Sequence, residues 1–370
     1  SPTPSADGQR RHCRFRTGIT THRPDILSAS MMRQMPDHTF CIAPMMDWTD
    51  RHCRFFLRQI SRHCLLYTEM LTAPAVLHGD RRYLLDFDPA EHPVALQLGG
   101  SNPSELAEAA QIGEQAGYDD VNLNLGCPSD RVQSGRFGAC LMAEPETVAA
   151  CVSAMTDAVG VPVTAKIRIG IDDRDSYAEL DAFARMLADS GCRTVIVHAR
   201  KAYLQGLSPK ENRTVPPLHY DRVYRLKSDH PGLEIVINGG IRTPGEARSH
   251  LHHVDGVMLG REAYHNPWVL AGVDSLFFHA QERSPAREAV IERMLPYIDR
   301  ELERGAELKH ITRHMLGLYQ GVPGARAWRR YLSEHAHRPG ADSDVLLRAR
   351  EAVHPKGSDR TKGGVLQQHG

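Results

Sequence analysis

The chain has 370 residues, with 45 Lys+Arg balancing 45 Asp+Glu and 41% hydrophobic residues. That length holds one large domain and a smaller one, and zero net charge excludes a generally basic nucleic-acid coat while leaving room for a local basic face. No apolar run reaches the roughly 18–20 residues of a membrane span, and the N-terminal stretch lacks the compact apolar core of a signal peptide. The eight cysteines are scattered, with no C-x-x-C pair and no Cys/His grouping at zinc spacing. Free thiols in a reducing cytoplasm, and no metal, are the expectation.

Residues 1–36 are rich in Ser, Thr, Pro and Arg and lack a period, so they read as a disordered leader. "MMRQM" (Met31–Met35) sits just before the first good strand and suggests a natural start there. Short apolar runs then recur: "FCIAPMM" from Phe40, "LLYTEM" from Leu65, "PVALQL" from Pro93 and "VNLNLG" from Val121. They continue with "PVTAKIRIG" from Pro162, "TVIVHA" from Thr194, "EIVINGG" from Glu234 and "GVMLGR" from Gly256. Most are followed by a helical pattern. "NPSELAEAAQIGEQAG" predicts Asn102 as N-cap, Pro103 at the first helical position and Gly117 as the stop. "EPETVAACVSAMTDAVG" and "SYAELDAFARMLADSG" predict helices of the same plan.

Apolar strands alternating with amphipathic helices imply parallel strands covered on both faces. Eight such units over residues 37–280 fit an α/β fold of the (β/α)8 barrel type, which takes about 250 residues. An open doubly wound sheet is the alternative, but no strand leads into G-x-G-x-x-G. From about residue 281 to 339 only helical spacing remains, predicting a C-terminal all-α bundle. Residues 340–370 are irregular and read as a mobile tail.

Chemistry in such a barrel sits where strands end and βα loops begin. The polar residues there are Asp47 after strand one, Glu69 after two, Gln97 in three, and Asn122, Asn124 and Cys127 in and after four. Strand five carries Lys166 and Arg168, and strand six His198 and Arg200. Strands seven and eight end in Asn238-Gly239-Gly240 and Gly260-Arg261. Glycines there either make tight turns or let backbone N–H groups approach a phosphate, with Arg261 adding a charge-assisted contact. A single histidine could be a satisfied core residue, but Lys, His, Gln and Asn at successive strand ends point to a polar planar ligand, because burying unpaired polar groups is costly.

"APMMDWTDRHCRFFLR", "LYTEM", "VALQLGG", "VNLNLGCPSDRVQSGRFGACLM", "TAKIRIG", "VIVHAR", "ENRTVPPLHYDRV", "INGGI" and "GVMLGR" together resemble the tRNA-dihydrouridine synthases of the A subfamily, over residues 38–338. The resemblance implies FMN as cofactor, NADPH as reductant, and uridine in the D-loop of tRNA, at positions 20 and 20a, as substrate. It implies that Pro44, Met45, Met46, Gln97, Lys166 and His198 hold the isoalloxazine ring, and that Asn238, Gly239, Gly240, Gly260 and Arg261 hold its phosphate. Cys127 falls on the catalytic acid. Asn124, Lys201, Lys210, Arg213, Arg326 and Arg329 fall on tRNA contacts. The chain is expected to act as a monomer.

The chemistry agrees with a cysteine in that loop. Reducing the C5=C6 bond of uracil needs a hydride at C6 and a proton at C5. A thiol with an ordinary pKa near 8.5 is mostly protonated at neutral pH and can donate. Cys13, Cys41, Cys53, Cys64, Cys140, Cys151 and Cys192 are expected to be buried and inert. Two other functions fit parts of the sequence. A flavin barrel acting on a free pyrimidine, like dihydroorotate dehydrogenases, would not need the basic helical segment. A barrel that binds RNA without catalysis would leave Lys166, His198 and Cys127 unexplained.

Overall fold

The computed structural model describes residues 35–281 and 284–353. The leader expected over residues 1–36 lies outside them except for its last two positions, and so does the chain beyond residue 353. The parallel strands are β1 (Phe40–Ile42), β2 (Leu65–Tyr67), β3 (Leu71–Thr72), β4 (Val94–Gly99), β5 (Asp120–Leu125), β6 (Val163–Arg168), β7 (Thr194–His198), β8 (Glu234–Asn238) and β9 (Gly256–Leu259). β1 pairs with both β2 and β9, β2 pairs with β4, and β4 through β9 pair in sequence. The sheet therefore closes, and the expected (β/α)8 barrel is the one found. The short β3, which the sequence did not announce, pairs with the end of β4 without breaking the closure.

Alternation along each strand divides the side chains between two cores. Val121, Leu123 and Leu125 join the large layer between strands and helices. Cys41, Leu65, Tyr67, Ala95, Ile196, Val236 and Met258 fill the lumen. The helix Pro103–Ala116 starts and stops where expected: the Asn102 side chain accepts from the N–H groups of Ser104 and Glu105, and Gly117 ends it in the left-handed conformation. Ser176 and Glu179 form a reciprocal capping box on the helix Tyr177–Asp189. The helix Pro145–Ala158 departs from that plan. It has no side-chain cap at its start, and it gives way to extended backbone at Val159, short of the expected glycine.

The lower end of the barrel is closed by His38, which is 3% exposed. Its Nε2 lies 3.1 Å from Asp120 Oδ2 and its Nδ1 3.0 Å from Glu234 Oε2. Burial disfavours the charged imidazole, but the two carboxylates outweigh it and raise the pKa to about 10. The backbone here runs so close to β9 that a Cβ at Gly256 would sit 2.1 Å from the His38 carbonyl oxygen. Only glycine fits.

Beyond residue 284 the described chain is helical. The helix Arg287–Glu303 docks on the barrel helix Arg51–Arg58. Tyr297 stacks on Phe55 with centroids 3.8 Å apart and its hydroxyl lies 2.7 Å from His52 Nδ1. Trp328, fully buried on the helix Ala325–His335, donates to the Met315 carbonyl at 2.9 Å. These residues belong to the same continuous core as the strands, so the C-terminal helices, which also pack on one another, share an apolar core with the barrel. The tail expected from residue 340 needs correction: Asp344–Val353 is a helix whose Leu346, Ala349 and Val353 are buried. Their spacing is helical, but the segment is short and its buried face is only three residues, which made a weak signal.

A shared core predicts one cooperative transition. Tyr297→Ala should cost about 3 kcal/mol or more and should move the urea midpoints by tryptophan fluorescence and far-UV dichroism together. Two separated midpoints would mean that the helical segment folds alone. His38 predicts a pH dependence. Its folded pKa of about 10 stands above the ordinary 6.5, so its contribution is complete below that ordinary value and fades as the pH rises towards the folded one. Stability from urea unfolding should fall over that window in the wild type and fall less in His38→Gln. Equal slopes would remove His38 as the cause.

Candidate active site at the C-terminal mouth of the barrel

Period-2 alternation brings Asp120, Asn122 and Asn124 of β5 into the lumen, beside Gln97 of β4 and Thr164 of β6. Gln97 Nε2 donates to Asn122 Oδ1 at 2.7 Å, and Asn122 Nδ2 donates to Thr164 Oγ1 at 2.9 Å. Towards the mouth, Asn124 Nδ2 donates to Gln97 Oε1 at 2.8 Å. Asn124 Oδ1 then accepts the backbone N–H groups of Gly126 and Cys127 at 3.2 and 3.0 Å. This amide holds the loop that follows β5.

Cys127 is half-buried, and its thiol donates to Ser129 Oγ at 3.6 Å. Its carbonyl accepts from the Ala139 N–H at 2.9 Å. Gln133 Nε2 bridges the carbonyls of Pro128 and Leu204, joining this loop to the one after β7. Among the other described cysteines, Cys41, Cys53, Cys64, Cys151 and Cys192 are buried as expected. Cys140 is not: it is half-buried, because it sits in a 3-10 turn with its thiol on the Phe137 carbonyl, 3.1 Å away.

Next to the cysteine stands a group of cations. Arg168 is 3% exposed and donates to the carbonyls of Gly126 at 3.1 Å, Lys201 at 3.4 Å and Asn212 at 2.9 Å. Among the described residues no carboxylate pairs with Lys166, Arg168, Arg200, Arg213 or Arg261. Lys166 keeps some solvent contact, yet the atoms around it push its pKa down to about 7, and Arg168 acts in the same direction. Burial, with Arg168 and Lys166 nearby, drives His198 well below the usual histidine range, so its imidazole is neutral. The buried Nε of Arg200 finds no hydrogen-bond partner among the described residues. Neither does the side chain of Lys166 or His198. Unpaired donors gathered at one barrel mouth fit an anionic, acceptor-rich ligand.

The ends of β8 and β9 complete the wall. Gly239 and Gly240 take φ of 118° and 77°. A Cβ on Gly239 would meet the His198 ring at 2.7 Å, so the backbone approaches the histidine only as glycine. The Asn238 side chain donates to the Met258 carbonyl at 2.7 Å, bracing β8 against β9. Gly260 follows β9, where an added Cβ would meet Ala43 at 3.8 Å and Met45 Sδ at 4.0 Å, and Arg261 donates to the Arg213 carbonyl at 3.2 Å. After β1, Pro44 leads into a turn in which Met45 N–H donates to Thr49 Oγ1 at 2.9 Å and Met46 is exposed.

The basic residues divide. Lys201 is tied down by Asp175 at 3.3 Å and lies over the Tyr203 ring. Lys210 and Arg213 are exposed in the loop after β7. Arg326 is exposed and Arg329 donates to Gln320 Oε1 at 3.0 Å, both on the helix Ala325–His335. No described contact joins these two arginines to the mouth, but the helical segment flanks it. Trp48, from the loop after β1, stacks on Tyr264 at 4.4 Å, and the Tyr264 hydroxyl lies 3.2 Å from His314 Nδ1. Asp50 caps the helix Arg51–Arg58 and also accepts from Arg313 at 2.8 Å and lies 3.0 Å from His314 Nε2. Sequence reasoning missed the part of Thr164, which opens the motif "TAKIRIG" but reads there as an ordinary strand residue, and the part played by Arg168 in clasping two loops. Polar residues at alternate positions of one strand were the available signal.

The comparisons with known proteins identify the family. The family described as dihydrouridine synthase matches residues 41–353. The tRNA-dihydrouridine(20/20a) synthase of Shewanella oneidensis is 61% identical over 86% of this chain and 94% of its own length. Those of Salmonella typhi (59%; 87% of this chain, 97% of that one) and Escherichia coli K12 (59%; 86% and 92%) are similar to the same extent. A solved structure of 2-naphthoyl-CoA reductase shares the fold at 10% identity and a TM-score of 0.50, covering 65% of this chain and 51% of that one. With the family match spanning both the barrel and the C-terminal helices to Val353, the chain belongs to the dihydrouridine synthase family.

Proposed function

We propose that this chain reduces uridine to 5,6-dihydrouridine in the D-loop of tRNA, at positions 20 and 20a, with FMN as bound cofactor and NADPH as reductant. The observation that carries the reading is the convergence at one barrel mouth of a half-exposed cysteine with cations that no carboxylate among the described residues neutralises. When bound, the reduced flavin supplies the hydride for C6 of the uracil. Gln97, Lys166 and His198 would hold its ring, with Pro44, Met45 and Met46 beside it. Gly239, Gly240, Gly260 and Arg261 would hold its phosphate. The orphaned Nε of Arg200 supports an anion there, since a buried donor without an acceptor is costly. A neutral His198 suits a residue that donates a hydrogen bond and does not give up a proton.

Cys127 would hold the proton for C5 at its thiol, over the pocket, positioned by Asn124. A uridine must leave its stack to reach it, and phosphate contacts must hold the RNA while it does. Lys210, Arg213, Arg326 and Arg329 serve that purpose in this reading, and Lys201 stiffens the loop after β7. Among the described residues no helix is long and apolar enough to cross a membrane. The cytoplasm, where tRNA and NADPH meet, is the proposed location, with the monomer as the working unit.

Purified protein with NADPH and unmodified tRNA should yield dihydrouridine by nuclease digestion and mass spectrometry. Cys127→Ala should retain flavin and lose about 10²–10⁴-fold in turnover. Equal turnover would remove Cys127 as the acid, and flavin with activity on free pyrimidines alone would replace tRNA as the substrate. Arg326→Ala and Arg329→Ala should raise KM for tRNA with kcat kept, and each should lower the salt slope of binding by about 1. An unchanged slope would take these arginines off the RNA.

A further inference from the structure

The hydrogen bonds through the lumen form a line that has only one possible sense. At its lower end stands Asp120, whose Oδ2 lies 3.1 Å from His38 Nε2 and whose Oδ1 accepts from the Thr164 hydroxyl at 2.9 Å. A carboxylate there only accepts, so the Thr164 proton points down and its oxygen must accept from above. Asn122 therefore turns its NH2 to Thr164 and its carbonyl to Gln97. Gln97 must then offer its NH2 to Asn122 and its carbonyl to Asn124. Asn124 is left with its carbonyl facing the N–H groups of Gly126 and Cys127. Those backbone groups only donate, so the upper end demands the same sense as the lower. An amide that flipped anywhere between would set donor against donor, or acceptor against acceptor, at side chains that are all buried.

We infer that Thr164 and Asp120 are positioning residues: through Asn122 they fix which end of the Gln97 and Asn124 amides faces which neighbour, and so hold the Cys127 loop and the ring-binding edge of the mouth in place. Neither touches the reacting atoms. Asp120 stands two positions before Asn122 and four before Asn124 on the same strand face, so one strand carries both the anchor and the end of the line. Gln97 is locked from a second side as well, since its backbone N–H donates to Thr68 Oγ1 at 3.0 Å. The inference rests on the flavin reading of the mouth for its effect on the cofactor, but not for its effect on the cysteine.

Thr164→Val keeps the shape and removes the hydroxyl, and Thr164→Ser keeps the hydroxyl and removes the methyl. Three measurements apply to the full chain: the rate of Cys127 alkylation by iodoacetamide, resolved by peptide mass mapping; the Kd of FMN for the apoprotein; and kcat and KM for tRNA. With Thr164→Val, the alkylation rate and the Kd should each change by about tenfold or more, and kcat should fall with KM for tRNA kept. Thr164→Ser should restore all three. If Thr164→Val matches the wild type in alkylation and FMN binding, the inference is overturned. It is overturned equally if Thr164→Ser is as impaired as Thr164→Val, since the methyl would then be what matters. Should Thr164→Val not fold, Thr164→Ala replaces it against the same Thr164→Ser standard. If the wild type binds no FMN, the flavin reading falls by itself, and the alkylation rates alone decide the inference.

Discussion

A parallel strand covered on both faces has no solvent side to which a polar residue can turn. β5 places Asp120, Asn122 and Asn124 into the lumen of a closed barrel, and each must be satisfied by neighbours or cost the fold free energy. The rest of the site follows from how that need is met. The hydrogen bonds that satisfy these side chains cross to β4 and β6, and at the top they reach the backbone of the Cys127 loop. Stability and placement are therefore carried by the same bonds.

The mouth handles charge differently. Arg168 is satisfied by three carbonyls that contribute no negative charge. Its cation thus remains as a field, which adds to burial in pushing down the pKa values of Lys166 and His198. At the lower end, by contrast, His38 is closely paired with two acids. One end of the barrel is neutralised and the other is left electropositive, with the hydrogen-bonded line between them.

Much of this was legible in the sequence. The helix caps at Asn102, Pro103 and Gly117, the eight barrel strands and the strand-end positions of Lys166, His198 and Cys127 follow from local pattern, because periodicity and turn chemistry act over a few residues. What escaped depends on partners distant in the chain. Tyr297 meets His52 across 245 positions, and nothing near either predicts it. Thr164 looks like any β-branched strand residue until Asn122 stands opposite it. The helix Asp344–Val353 shows its apolar face only against the core that receives it. Residue identities in the motifs were readable, but which bonds they make was not.

The unneutralised cations at the mouth belong to a chain in which 45 basic residues balance 45 acidic ones. At physiological ionic strength such a local field reaches only about 8 Å. With those cations set aside, the rest of the chain carries more acidic than basic residues, so a polyanion gains little by staying there. Attraction begins only after shape has brought an RNA to the opening. A protein built this way does not accumulate nucleic acid over its whole surface, and it spends little time on the wrong molecules.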